Sequence, residues 1–135
     1  MIQISTKPLL VASALFMGIV GFVSTFIPAE ALIILSVADP LPAIVFIVQM
    51  LGAAYFGFGM LNWMSRAAPM GGIYSRPLAT GNFLHFTMIA LASWRFQPVV
   101  ATGGVNLIIS IIYTLFAIAF GIVLFASSGP RAKTD

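Results

Sequence analysis

The chain has no cysteine, one histidine, and only six basic and three acidic side chains in 135 residues. Without cysteine there are no disulfides, no thiolate metal sites and no thiol nucleophile. With one histidine, a haem held between two histidines of the same chain is excluded. Charged residues make up 7% of the sequence, against roughly a quarter in ordinary soluble domains. So few charges cannot clothe a soluble globule of this size. The net charge of +3 resides almost entirely at the termini and in a central polar stretch. It therefore reports topology and lipid headgroups, because a nucleic-acid binder needs a dense basic face and none exists here.

What is present is apolar: 61% of the residues, with twelve phenylalanines. Four segments approach the roughly 20 residues that a bilayer core demands, at about 8–27, 42–64, 77–94 and 105–126. Three of them open on proline (Pro8, Pro42 and Pro77), which is tolerated in a first helical turn. Pro28 closes the first and Trp94 and Arg95 the third, while the fourth could start at Pro98, with Gly103-Gly104 the better-supported break or kink before the run from Val105. Lys7, the apolar run and Ala29-Glu30-Ala31 imitate a secretory signal, but the run from Leu9 to Ile27 exceeds the usual 7–15 residues and reads as a retained transmembrane helix. Residues 29–41 are apolar in part, yet too short to span and fenced by Glu30 and Asp39-Pro40. They read either as a short interfacial helix with Glu30 near its positive N-terminal end or as an apolar loop packed on helix ends. The expected fold is one all-α membrane domain over residues 1–135: a four-transmembrane-helix bundle with a short interfacial helix between spans one and two.

Orientation follows from the basic residues. Lys7, Arg66, Arg76, Arg131 and Lys133 would share one face, while Arg95 shares the other with Glu30 and Asp39. The positive-inside rule then puts both termini and the central loop in the cytoplasm, as an even number of spans requires, in a cell inner membrane. Close approach of helices in lipid relies on small residues. Ala14 with Gly18, Ala53 with Gly57 and Ala117 with Gly121 supply such pairs at i, i+4. Gln49, Tyr55, Asn106 and Tyr113 are polar groups within apolar spans, expected to bond to neighbouring helices. Glu30, Asp39 and Arg95 are expected to form an interfacial salt bridge or to stay solvated.

The stretch from Leu61 to His85 gathers the least apolar residues away from the termini. Asn62 and Arg66 are four apart, Asn82 and His85 three apart, so each pair shares a helix face. A hairpin across the central loop would bring these four together, with Tyr74 and Arg76 above them, as a ligand-binding site beneath the cytoplasmic headgroups. His85 would lie roughly 12 Å along its helix from Pro77, at 1.5 Å per residue, and ionisable groups at such depth are functional candidates. Two readings stand side by side. Asn62, Asn82 and His85 could simply hydrogen-bond one another and the loop, locking the hairpin. Alternatively the site takes an anionic lipid headgroup through Arg66 and Arg76, a quinone through a neutral donor such as His85 or Asn82, or a haem or chlorophyll-type pigment ligated by His85. Enzymatic catalysis has little support: no acid accompanies His85, and no nucleophile motif, phosphate loop or metal-spacing cluster is present.

Five short runs carry a resemblance: Gln49-Met50-Leu51-Gly52, Leu61-Asn62-Trp63-Met64, Gly71-Gly72-Ile73-Tyr74, Arg76-Pro77 and Asn82-Phe83-Leu84-His85. With the Pro28-Ala29-Glu30 turn after the first span, they resemble the pattern of small bacterial four-helix membrane proteins, loosely the DoxX-like group. The resemblance implies the four-span architecture and association with redox and quinone settings. The sequence thus points first to a non-enzymatic accessory or structural membrane subunit, lipid-binding, packed against other membrane subunits or itself. A redox-associated protein holding a quinone, haem or chlorophyll-type ligand near His85 is the alternative. A small transporter or channel comes third, since the spans lack a polar stripe.

Overall fold

A computed structural model describes residues 6–67, 75–96 and 104–126. They form five helices: α1 (Lys7–Phe26), α2 (Pro28–Ile34), α3 (Pro42–Ser65), α4 (Ser75–Phe96) and α5 (Val105–Ala126). Local chemistry explains the ends. Proline sits in the first turn of α1, α2 and α3, where its missing N–H would be unpaired anyway. Ile27 separates α1 from α2, its N–H bonding back to the Val23 carbonyl. Pro28 thus starts a second helix as well as ending the first. Gly104 takes a positive φ of 101° just before α5, a conformation that suits a residue without Cβ.

The short apolar segment after α1 is helical rather than a loop, with Glu30 in the first turn of α2. Its exit is a Schellman closure: Val37 N–H bonds to the Leu32 carbonyl and Ser36 N–H to that of Ile33, both at 2.9 Å. Ser36 occupies the left-handed position, φ 66°, which normally goes to glycine. Pro28 and Leu32 are the buried residues of α2, and the helix packs on α1 and α3.

The four long helices alternate in direction, as their contacts show. Rising numbers in α1 meet falling numbers in α3: Gly21 lies against Gly52, and Ala14 and Gly18 against Gly59. Asn62 of α3 meets Asn82 of α4, while Phe86 and Trp94 of α4 meet Phe120 and Thr114 of α5. Closest approaches pair α1 with α3 and α4 with α5. Between the pairs lies a core of Leu10, Met17, Phe86, Ala90, Tyr113, Ala117 and Phe120, flanked by Phe16, Tyr55, Phe58 and Phe116. The phenylalanines divide evenly. Phe16, Phe58, Phe83, Phe86, Phe116 and Phe120 pack within or against this core, whereas Phe22, Phe26, Phe46, Phe56, Phe96 and Phe125 are exposed.

By length and composition α1, α3 and α5 can cross a membrane. Their outer faces carry exposed Ile19, Phe46, Met50, Leu115 and Ile122. That is the pattern of a membrane-spanning protein, whose apolar surface is solvated by lipid tails. α4 is as long, but Asn82, His85, Arg76 and Arg95 lower its apolar character, and it is not among the three.

Two of the three expected small-residue pairs sit at helix contacts; Ala53 and Gly57 do not. Both are exposed, and a Cβ built on Gly57 meets nothing within 4 Å. The contacting residues are Gly52 and Gly59. At about 100° per residue, Gly59 and Asn62 lie about 60° apart around the helix, whereas Gly57 and Asn62 lie about 140° apart. Packing through Ala53 and Gly57 would turn Asn62 toward the apolar exterior, where its amide would find no partner.

Candidate functional site

Asn62 and Asn82 are both 0% exposed. Each amide donates to the other's carbonyl oxygen: Asn62 Nδ2 to Asn82 Oδ1 at 2.8 Å, and Asn82 Nδ2 to Asn62 Oδ1 at 2.7 Å. This reciprocal pair ties α3 to α4. The second amide hydrogen of Asn82 goes to the Leu78 carbonyl at 2.9 Å. That of Asn62 faces Ser13 Oγ at 3.1 Å and Met17 Sδ at 3.7 Å, drawing α1 into the same knot. Ser13 in turn donates to the Leu10 carbonyl. The amide hydrogens of these two fully buried side chains are therefore all engaged, which is the condition for burying polar groups at low cost.

Arg66, Arg76 and His85 do not join this knot. Arg66 folds back on its own helix end: Nη1 donates to the Trp63 carbonyl at 2.6 Å, and the guanidinium lies 4.1 Å from the centre of the Trp63 ring. It adds a second, shorter bond to a helix-end carbonyl that already accepts the Arg66 backbone N–H at 3.4 Å and makes a cation–π contact. Arg76 is exposed on the first turn of α4. Tyr74 lies outside the described residues, as does most of the central loop.

His85 departs from the expected hairpin lock, since it bonds to neither asparagine. Its ring is turned into aromatic side chains: Tyr55 edge-on at 4.9 Å, Phe58 stacked at 5.7 Å and 19°, Phe86 edge-on at 5.2 Å, and Tyr113 at 6.4 Å. Nε2 is buried with no hydrogen-bond partner among the described residues. Sharing a helix face with Asn82 was insufficient, because α3 offers an amide at one level and rings one to two turns further along. Beside the imidazole, the hydroxyls of Tyr55 and Tyr113 bond to each other at 2.8 Å. Together they link α3 to α5.

Gln49 and Asn106, polar groups within apolar helices, bond to neighbouring helices as expected. Gln49 Nε2 donates to the Thr25 carbonyl at 3.3 Å, and Asn106 Nδ2 to the Ser93 carbonyl at 3.5 Å. Trp94 Nε1 adds a bond to Thr114 Oγ1 at 2.9 Å, a partner that α4 and α5 sequences read separately would not reveal. Glu30, Asp39 and Arg95 are each exposed, and no ion pair joins them among the described residues. Of the two earlier possibilities, solvated charge is the one seen. No cluster of three or more metal-ligating side chains occurs among the described residues.

Comparison with models of known protein families, with characterised proteins and with solved structures found no match.

Proposed function

We propose that this protein is a non-enzymatic accessory or structural subunit of a cell inner membrane, a four-span helical bundle with α4 as the third span and both termini in the cytoplasm. The observation that carries the reading is the Asn62–Asn82 pair: the strongest hydrogen-bonding groups of the interior are spent on each other. Such polar groups act as inter-helix connectors in membranes, and groups satisfied in this way are unavailable to a substrate. The large exposed apolar faces of α3 suit lipid and the helices of a partner subunit or a second copy. Arg76, and the outer side of Arg66, are the groups placed to meet anionic headgroups. The resemblance to DoxX-like four-helix proteins supports the span count.

Topology is directly testable because the chain has no native cysteine. Single cysteines at Lys7, Arg76 and Lys133 are expected to react with a membrane-impermeant maleimide from the cytoplasmic side alone, and cysteines at Asp39 and Arg95 from the opposite side. If Arg76 and Arg95 label from the same side, α4 does not cross and the four-span arrangement falls. The subunit role is tested by extraction in native lipid patches. A defined particle heavier than one 14.4 kDa chain is expected, and monomers throughout would overturn that role.

A further inference from the structure

Two buried polar atoms lack partners among the described residues, His85 Nε2 and Thr87 Oγ1, and they differ in what can relieve them. A helical hydroxyl turns readily onto the carbonyl three or four residues back, as Ser13, Thr25, Ser93, Ser110 and Thr114 all do here. Thr87 has the same remedy. An imidazole nitrogen has none, since its direction is set by a ring held among Tyr55, Phe58, Phe86 and Tyr113. An unpaired nitrogen in that position invites a polar atom from outside the chain.

The surroundings define which atom. Two hydroxyls joined by one hydrogen bond spend only one of their two hydrogens, so the Tyr55–Tyr113 pair keeps one O–H to donate. Imidazole in its Nε2–H form adds a second donor. Two donors call for an acceptor oxygen. The walls are aromatic and no charged side chain among the described residues contacts the ring, so the incoming group is uncharged. Phe58 already lies parallel to the imidazole, and it can do so because Gly81, one turn before His85, has no Cβ: one built there would stand 3.2 Å from Phe58 Cζ. The cage thus accepts flat rings stacked on His85. Tyr55, Phe58 and His85 are each only half-buried, so the cage is not sealed from the outer surface of the bundle.

We propose that His85 anchors a lateral binding slot for an uncharged planar ring bearing a carbonyl, the chemistry of a quinone head, whose apolar tail remains in lipid along α3. Phe58 is the gate, the ring that must give way as the ligand stacks. This goes beyond the structural role above and rests on α4 crossing the membrane. Cysteine labelling reports on that crossing, and the imidazole signal reports on the slot, so the two failures are distinguishable.

The single histidine makes the test specific. The full chain, labelled with 15N at the imidazole and placed in lipid nanodiscs, gives one pair of ring-nitrogen resonances. It is titrated with a short-tailed benzoquinone and, in parallel, with a benzene ring bearing the same tail. A saturable Nε2 shift with the quinone alone is expected, with at least a tenfold loss of quinone affinity in His85→Phe measured by equilibrium binding. An unmoved resonance, an equal response to both rings, a tightly held water on Nε2 that the quinone leaves in place, or unchanged affinity in the variant each overturns the slot. Because the wild-type titration stands alone, the proposal remains falsifiable if the variant fails to fold.

Discussion

The α1–α3 seam and the α4–α5 seam solve the same problem in opposite ways. In lipid there is no hydrophobic drive to bring helices together, so attraction comes from packing and hydrogen bonds. α1 and α3 meet backbone to backbone: a Cβ on Gly21 would stand 2.5 Å from the Phe56 nitrogen and 2.7 Å from the Gly52 carbonyl oxygen. α4 and α5 meet through rings. Phe86 stacks on Phe116 at 4.7 Å and on Phe120 at 5.6 Å, and Phe83 lies over Gly121. The first seam gains close contact but has no slack, because peptide groups cannot rotate out of the way. The second keeps adjustable side chains between its helices.

The most severe way to break this contrast is to add one carbon to the rigid seam. Gly52→Ala or Gly21→Ala is expected to cost up to about 3 kcal/mol, the upper range for overpacking a well-filled contact, read as a lowered midpoint of thermal unfolding in detergent micelles. Gly57→Ala, on the open side of α3, should leave the midpoint unchanged. If Gly52→Ala and Gly57→Ala behave alike, the seam is not where the backbone contacts place it.

The knot joining the two pairs comes next. Asn62→Leu strands the Asn82 amide and should cost about 1–3 kcal/mol, the penalty of a buried polar group left unpaired. Adding Asn82→Leu should restore part of the loss, which a double-mutant cycle in the same unfolding assay detects. A strictly additive double variant would mean that the two amides do not act as a pair.

The smallest effect sharpens the comparison from the other side. Gly121→Ala brings a Cβ to 3.1 Å from the Phe83 ring edge, and that ring can shift. The expected cost is below about 1 kcal/mol, at the low end for overpacking. A loss as large as that of Gly52→Ala would show that the ring seam is as rigid as the backbone seam.

The limits of α1, α3 and α5 were legible because breakers act locally, whereas α4 starts at Ser75, ahead of Pro77, and runs through Arg95 to Phe96. Pro42 opens α3 and Gly104 precedes α5 whatever else the chain does, and both ends agree with expectation. The Asn62–Asn82 meeting was also legible, since a hairpin across the central loop brings the end of one helix beside the start of the next. The rotation of α3 was not. Its apolar residues run around the whole circumference, leaving no amphipathic phase to say that Gly52 rather than Ala53 faces α1. Likewise, the spacing of His85 from Asn82 correctly puts them on one face. It cannot say that an imidazole there meets Tyr55 and Phe58, which belong to another helix.

The amino-acid sequence alone determined that this chain seeks lipid and where α1, α3 and α5 start and stop, because transfer energies and backbone restrictions are properties of each residue and its immediate neighbours. Only the tertiary structure decided which glycines touch, that Arg66 folds onto Trp63 instead of the amide knot, and that one imidazole nitrogen is left without a partner among the described residues. Those outcomes depend on how several uniformly apolar cylinders turn about their own axes, and that turning is settled by contacts between residues far apart in the chain.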